Sequence, residues 1–173
     1  MSELAPLSQA LQARILELGH ITGRFILRSG AVADSYYDKY RFMADPVTLR
    51  DICQAMAERL PNCDFVAGIE VGGIPLATGV SLASGRPLLI VRKTAKTYGT
   101  ERLIEGGDVA GKRIVLIEDV VTTGGQIVLS AEEVRKAGGT VVAAMCVVDR
   151  GGSGRATLAG HDIAYQPLMS VNP

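Results

Sequence analysis

Cysteine is scarce: Cys53, Cys63 and Cys146 are the only three in 173 residues, and no two form a C-x-x-C pair. An odd number of scattered thiols excludes a small disulfide-stapled scaffold and fits a reducing compartment. Cys53 and Cys146 sit in apolar stretches, where a thiol serves as a small core side chain. Histidine is scarcer still. Neither His20 nor His161 has a Cys or His partner at metal-ligand spacing, so no zinc site is expected. Charge of one sign is not in excess, because 18 Lys and Arg balance 18 Asp and Glu. That argues against holding nucleic acid or an anionic membrane through bulk charge. No run of about 18 apolar residues exists to cross a bilayer, and residues 1–11 lack the basic-then-apolar order of a signal peptide. A soluble, cytoplasmic protein is the expectation.

What is present suits a packed core: 47% of residues are hydrophobic and 21% charged. The length fits one domain over 1–173, with residues 1–60 as N-terminal helices and a hood beside an α/β core over 61–173. Leu7, Leu11, Ile15 and Leu18 recur at helical spacing and Gly19 stops that helix. Residues 25–28 and 35–38 read as extended pieces joined by a turn at Ser29-Gly30. Asp45 caps a second helix that Pro46 opens and that runs to about Leu60. Beyond Pro61, apolar β-rich runs at 65–69, 88–91, 113–117 and 140–148 alternate with helical segments at 73–84 and 124–137. Strands apolar on both faces and separated by helices predict a parallel sheet covered on both sides. Residues 93–108 are polar and glycine-containing, the composition of a long active-site loop.

The segment V-L-I-E-D-V-V-T-T-G-G over 115–125 carries the strongest chemical signal. A buried strand ends in two acids, Glu118 and Asp119, and a Thr/Gly turn then opens a helix. Free N–H groups and the positive dipole end make that helix start a phosphate site. Gly124 and Gly125 allow close backbone approach, while Thr122 and Thr123 add hydroxyl donors. Acids at a strand end are suited to accept hydrogen bonds from vicinal sugar hydroxyls. Together these features describe a ribose 5-phosphate site. No Walker A sequence is present, so nucleoside triphosphate hydrolysis is not supported.

This segment resembles, along its whole length, the phosphoribosyl diphosphate signature of the type I phosphoribosyltransferases. The resemblance implies a central, mainly parallel five-stranded sheet flanked by helices, with a hood over the carboxyl ends. It implies that Val120, Val121, Thr122, Thr123, Gly124, Gly125 and Gln126 bind substrate, beside Glu118 and Asp119. G-I-E-V-G-G over 68–73 falls where the family has its pyrophosphate loop, so Val71, Gly72 and Gly73 are expected to contact pyrophosphate. Relatives hold a non-proline cis peptide there, which points to Glu70–Val71. R-K-T-A-K-T-Y-G over 92–99 resembles the R-K-x-x-K-x-H-G lid of orotate phosphoribosyltransferases. Arg92, Lys93 and Lys96 would stabilise the departing diphosphate, and Tyr98 replaces a common histidine, so that position carries no cation near neutral pH. The 25–38 segment resembles that family's F-x-L-x-S-G…S-x-Y-Y-x-D. There Arg28 would reach the ligands and Tyr36 and Tyr37 would cover the pyrimidine. Arg150, ending the strand after the signature, would hold the orotate carboxylate with its planar fork, aided by Thr122.

The resemblance therefore implies transfer of phosphoribosyl from phosphoribosyl diphosphate to orotate, in pyrimidine synthesis. It further implies magnesium carried mainly by the diphosphate substrate, no metal site of the protein's own, and a homodimer whose lids reach across the interface. Two alternatives share the fold: an enzyme for another base, and a regulator that senses a phosphoribosyl ligand without turnover. Arg150 and the tyrosine pair weigh against the first. The retained lid cations, with no added nucleic-acid-binding segment, weigh against the second.

Overall fold

Helix α1 (Gln9–Gly19) starts where Ser8 accepts a hydrogen bond from the Leu11 N–H, and it buries Leu11 and Ile15. Here and below the structure is a computed structural model, which describes residues 7–26, 30, 32–94 and 103–171. Gly19 does more than end the helix. A Cβ there would lie 2.5 Å from the Tyr37 ring, so the glycine lets the next hairpin close against α1. That hairpin pairs β1 (His20–Ile26) with β2 (Val32–Tyr37) antiparallel, and β1 begins five residues earlier than the extended piece expected at 25–28. A short helix not legible in the sequence, α2 (Lys39–Ala44), follows under an Asp38 cap and buries Phe42 and Met43. Helix α3 (Pro46–Glu58) starts as expected, with Asp45 accepting from the Thr48 N–H at 2.7 Å.

The core then alternates β3 (Phe65–Ile69), α4 (Gly73–Ser84), β4 (Leu88–Val91), β5 (Ile104–Glu105), β6 (Arg113–Val121), α5 (Gly125–Lys136), β7 (Thr140–Asp149), α6 (Gly154–Gly160) and β8 (Tyr165–Ser170). The sheet order is β5-β4-β3-β6-β7-β8. Five strands, β3, β4, β6, β7 and β8, run parallel, which gives the mainly parallel sheet that the resemblance implied. The fifth is β8, whose Pro167 breaks the strand signature; a proline is tolerated because β8 is the sheet edge. The sixth, β5, pairs antiparallel with β4 and corrects the expected 93–108 loop. Ile104 is buried there and the Arg92 N–H donates to the Leu103 carbonyl at 2.8 Å, so two apolar residues in a polar stretch join the sheet edge.

Strand alternation builds two cores. Val115 and Ile117 face one layer with Ile15, Phe42, Ile52 and Leu76, which packs the hood helices and α4 onto the sheet. Ile114 and Leu116 face the other, with Ile127, Ala131 and Val134 of α5 and Leu158 of α6. Among the described residues no helix is long and apolar enough to cross a membrane.

Candidate active site

Of the residues singled out in the sequence, Val71 to Gly73, Arg92, Lys93, Glu118 to Gln126 and Arg150 lie at the carboxyl ends of β3, β4, β6 and β7, where ligands of parallel α/β sheets bind. From β3 the chain enters the Glu70–Gly73 turn, and the Glu70–Val71 peptide is cis, as expected. Gly73 is dictated by packing: a Cβ there would stand 2.2 Å from the Ile117 carbonyl oxygen of the neighbouring strand. Val71 is exposed at the tip of the turn. The Glu70 carboxylate accepts from the Lys93 N–H at 3.0 Å, which ties this turn to the base of the cationic loop. Arg92 is half-buried and Lys93 exposed at that base. Lys96, Tyr98 and Arg28 lie outside the described residues.

The signature differs in one respect from the expected arrangement. β6 does not end before the acids but continues through them to Val121, because β7 pairs with it as far as Asp149. Adjacent residues on a strand point to opposite faces, so Glu118 and Asp119 part company. Glu118 lines a cleft of about 220 Å³ together with Val120, Val121, Thr122, Thr123, Gly124, Gly125, Gln126 and Ile127. Burial, and then the neighbouring Asp119 charge, push the Glu118 carboxyl up to about 8. Asp119 is fully buried and is not part of that lining.

Gly124 has a φ of +77°, a conformation that favours glycine, and caps α5 with no side-chain hydrogen bond. The first N–H groups of α5 therefore keep their donors for an anion, beside the exposed Thr122 and Thr123. The Thr122 carbonyl accepts from the Gly154 N–H at 2.9 Å, so α6 buttresses the turn from behind. A cradle for a phosphate stands next to an acid able to hold a sugar hydroxyl.

Arg150 follows β7 at the same sheet end, its N–H donating to the Val121 carbonyl. Its side chain is exposed. Asp149, the simplest ion-pair partner for it, is taken instead by Arg155 at 3.7 Å and by the Gly151 N–H. The guanidinium is near enough to the Tyr37 phenol to oppose the rise that burial causes, which still leaves that phenol at about 12. Tyr37 itself is turned into the hood, packing on Phe42 and donating its hydroxyl to the Ile15 carbonyl. Tyr36 is exposed and stacks at an angle on Phe25. Of the tyrosine pair, then, Tyr36 alone faces outward here.

One residue at this site was not anticipated. Lys39, first in α2, places its ammonium 2.9 Å from Asp119 Oδ2 and donates to Oδ1 at 3.1 Å. Burial lowers the Lys39 pKa, but the Asp119 hydrogen bond and charge outweigh it and leave it raised. Nothing in the local sequence signals a contact spanning 80 positions. A larger hollow between α1 and α3, of about 490 Å³, lies in the hood away from the strand ends. Among the described residues, no three His, Cys, Asp or Glu side chains are grouped to hold a metal.

Known proteins share this arrangement. The phosphoribosyl transferase domain family matches residues 47–163. An orotate phosphoribosyltransferase of Nocardioides sp. is 45% identical over 165 residues, covering 95% of this chain and 92% of that protein. The crystal structure of Mycobacterium tuberculosis orotate phosphoribosyltransferase in complex with Fe(III) dicitrate superposes with a TM-score of 0.83 at 34% identity, over 94% of this chain and 95% of that one. The same enzyme in complex with 5-phospho-α-D-ribosyl 1-diphosphate gives 0.79 at 28% identity, over 93% and 94%. The chain belongs to the phosphoribosyl transferase domain family, in its orotate phosphoribosyltransferase group.

Proposed function

We propose that this protein transfers the 5-phosphoribosyl group of phosphoribosyl diphosphate to orotate, releasing pyrophosphate and forming orotidine 5′-monophosphate in pyrimidine biosynthesis. The observation that carries the choice of base is Arg150. It stands exposed beside the phosphate cradle, with Asp149 already paired elsewhere, so its fork is available to a carboxylate. Orotate is a pyrimidine bearing one.

In this reading the α5 N-terminus, Thr122 and Thr123 hold the 5′-phosphate, while Glu118 and Asp119 take the ribose hydroxyls. Orotate N1 forms the bond to C1′ as the C1′–O bond to diphosphate breaks, and the N1 proton passes to solvent. The signature acids lend negative potential to a cationic sugar-like transition state, and Arg92, Lys93 and Lys96 meet the charge growing on pyrophosphate. Magnesium enters as part of the diphosphate substrate and neutralises the leaving group. Positioning and electrostatics thus supply most of the acceleration. Closure of the cationic loop excludes water from an electron-poor ribose. We assign that loop to the partner subunit's site in a homodimer, and the protein to the cytoplasm.

The test is spectrophotometric: orotate consumption with magnesium and phosphoribosyl diphosphate, run beside uracil and hypoxanthine. Turnover of orotate alone is expected. Preference for another base would replace the reading, and binding of phosphoribosyl diphosphate without turnover of any base would make the protein a sensor.

A further inference from the structure

Asp119 is a carboxylate without access to solvent, one residue from the half-buried Glu118. A carboxylate in such a place needs partners for its oxygens. The structure supplies a different answer from each side. Oδ1 is held by the Val120 N–H at 2.6 Å and by Lys39 at 3.1 Å. Oδ2 lies 2.9 Å from the same ammonium, yet no hydrogen bond of proper direction reaches it, and it is buried. Across from Lys39, Oδ2 fills the space that a side chain at residue 72 would occupy: an ideal Cβ on Gly72 would stand 1.7 Å from it.

We infer that Lys39 of the hood is a positioning residue for Asp119, fixing its carboxylate with Oδ2 against the bare Cα of Gly72 beside the proposed ribose site. The inference rests on the proposed role of Asp119 in holding ribose. With Oδ1 pinned by two donors and Oδ2 seated between Lys39 and Gly72, the carboxylate has one position. The hood thereby takes part in recognising ribose. The Lys39 side chain is 39% exposed on its outer side, so it holds the acid without being walled into the core.

Binding of magnesium phosphoribosyl diphosphate, measured by calorimetry without orotate, tests this through a double-mutant cycle. Lys39→Met should weaken binding by about tenfold or more, the scale of losing one partner of a buried charge pair. In an Asp119→Asn background the same change should cost less than about twofold, because Lys39 then has no charge to hold. Lys39→Arg should stay within about threefold of wild type, since a fork can also meet both oxygens. Equal loss in both backgrounds would overturn the inference, as it would mean a general attraction for an anionic ligand. So would Lys39→Arg binding as poorly as Lys39→Met, which would indicate packing of α2. If Lys39→Met does not fold, Lys39→Gln completes the same cycle. Orotate turnover by the wild-type chain is read separately. Turnover with an additive cycle sinks only the role of Lys39, and a coupled cycle without turnover sinks only the proposed reaction.

Discussion

Glu118 offers a measurement in which the sign of the effect reverses ordinary intuition about replacing an active-site acid. Burial and the Asp119 charge raise its carboxyl from 4.5 to about 8 in the folded, unliganded protein. The unfolded chain has no such environment. Stability from this group is therefore fully present below about pH 4.5 and is lost as pH rises toward 8. At about 1.4 kcal/mol per pKa unit, the ionised form costs at most roughly 5 kcal/mol. Glu118 keeps some access to water and shares its titration with Asp119, so an effect of about 2–3 kcal/mol is expected. Glu118→Gln keeps the shape and cannot ionise. Thermal unfolding without ligand should show the variant close to wild type at pH 5 and about 5–10 °C more stable at pH 8.5, using about 2–4 °C per kcal/mol for a chain of this size. A difference that does not change with pH, or a variant less stable at pH 8.5, would refute the burial argument.

Arg150→Ala should weaken orotate use by about 2–4 kcal/mol, the loss of one charge-assisted bidentate contact, with phosphoribosyl diphosphate binding nearly unchanged. Equal loss for both ligands would misplace Arg150. Glu118→Gln combined with Asp119→Asn should leave a folded protein with little turnover, and near-normal turnover would remove these acids from the ribose site. Gly72→Ala should drive Asp119 out of its place, given the 1.7 Å approach, and weaken phosphoribosyl diphosphate binding at little cost to thermal stability; unaltered binding would show that the position of Asp119 is immaterial. Mixing inactive Arg150→Ala and Lys96→Ala under subunit exchange should restore roughly a quarter of wild-type activity if lids cross a two-fold interface. No recovery despite proven exchange would place each lid over its own site.

The phosphate cradle was legible in the sequence because its chemistry is local. Thr122 to Gly125 sit in one turn, and the need for glycine at Gly124 follows from a single backbone conformation. The alternation of β3, α4, β4, β6, α5 and β7 was likewise readable, since apolar runs and helical spacing lie within short windows. The α3 start at Asp45-Pro46 belongs to the same class. Where the reading fell short, the deciding interaction came from a neighbour distant in sequence. β8 carries an internal proline and is a strand because it pairs at the edge with β7. β5 consists of two residues, too few for any periodicity, and exists because β4 offers an open edge. β6 runs past the acids because β7 continues beside it, and that extension separates Glu118 from Asp119. Tyr36 and Tyr37 look alike as a pair, yet the gap at Gly19 draws Tyr37 into the hood. Local composition determined the turn that forms the phosphate cradle. Which acid faces the cleft, and that Lys39 and Gly72 enclose the other, only the tertiary packing decided, because those contacts close over 80 and 47 positions of chain.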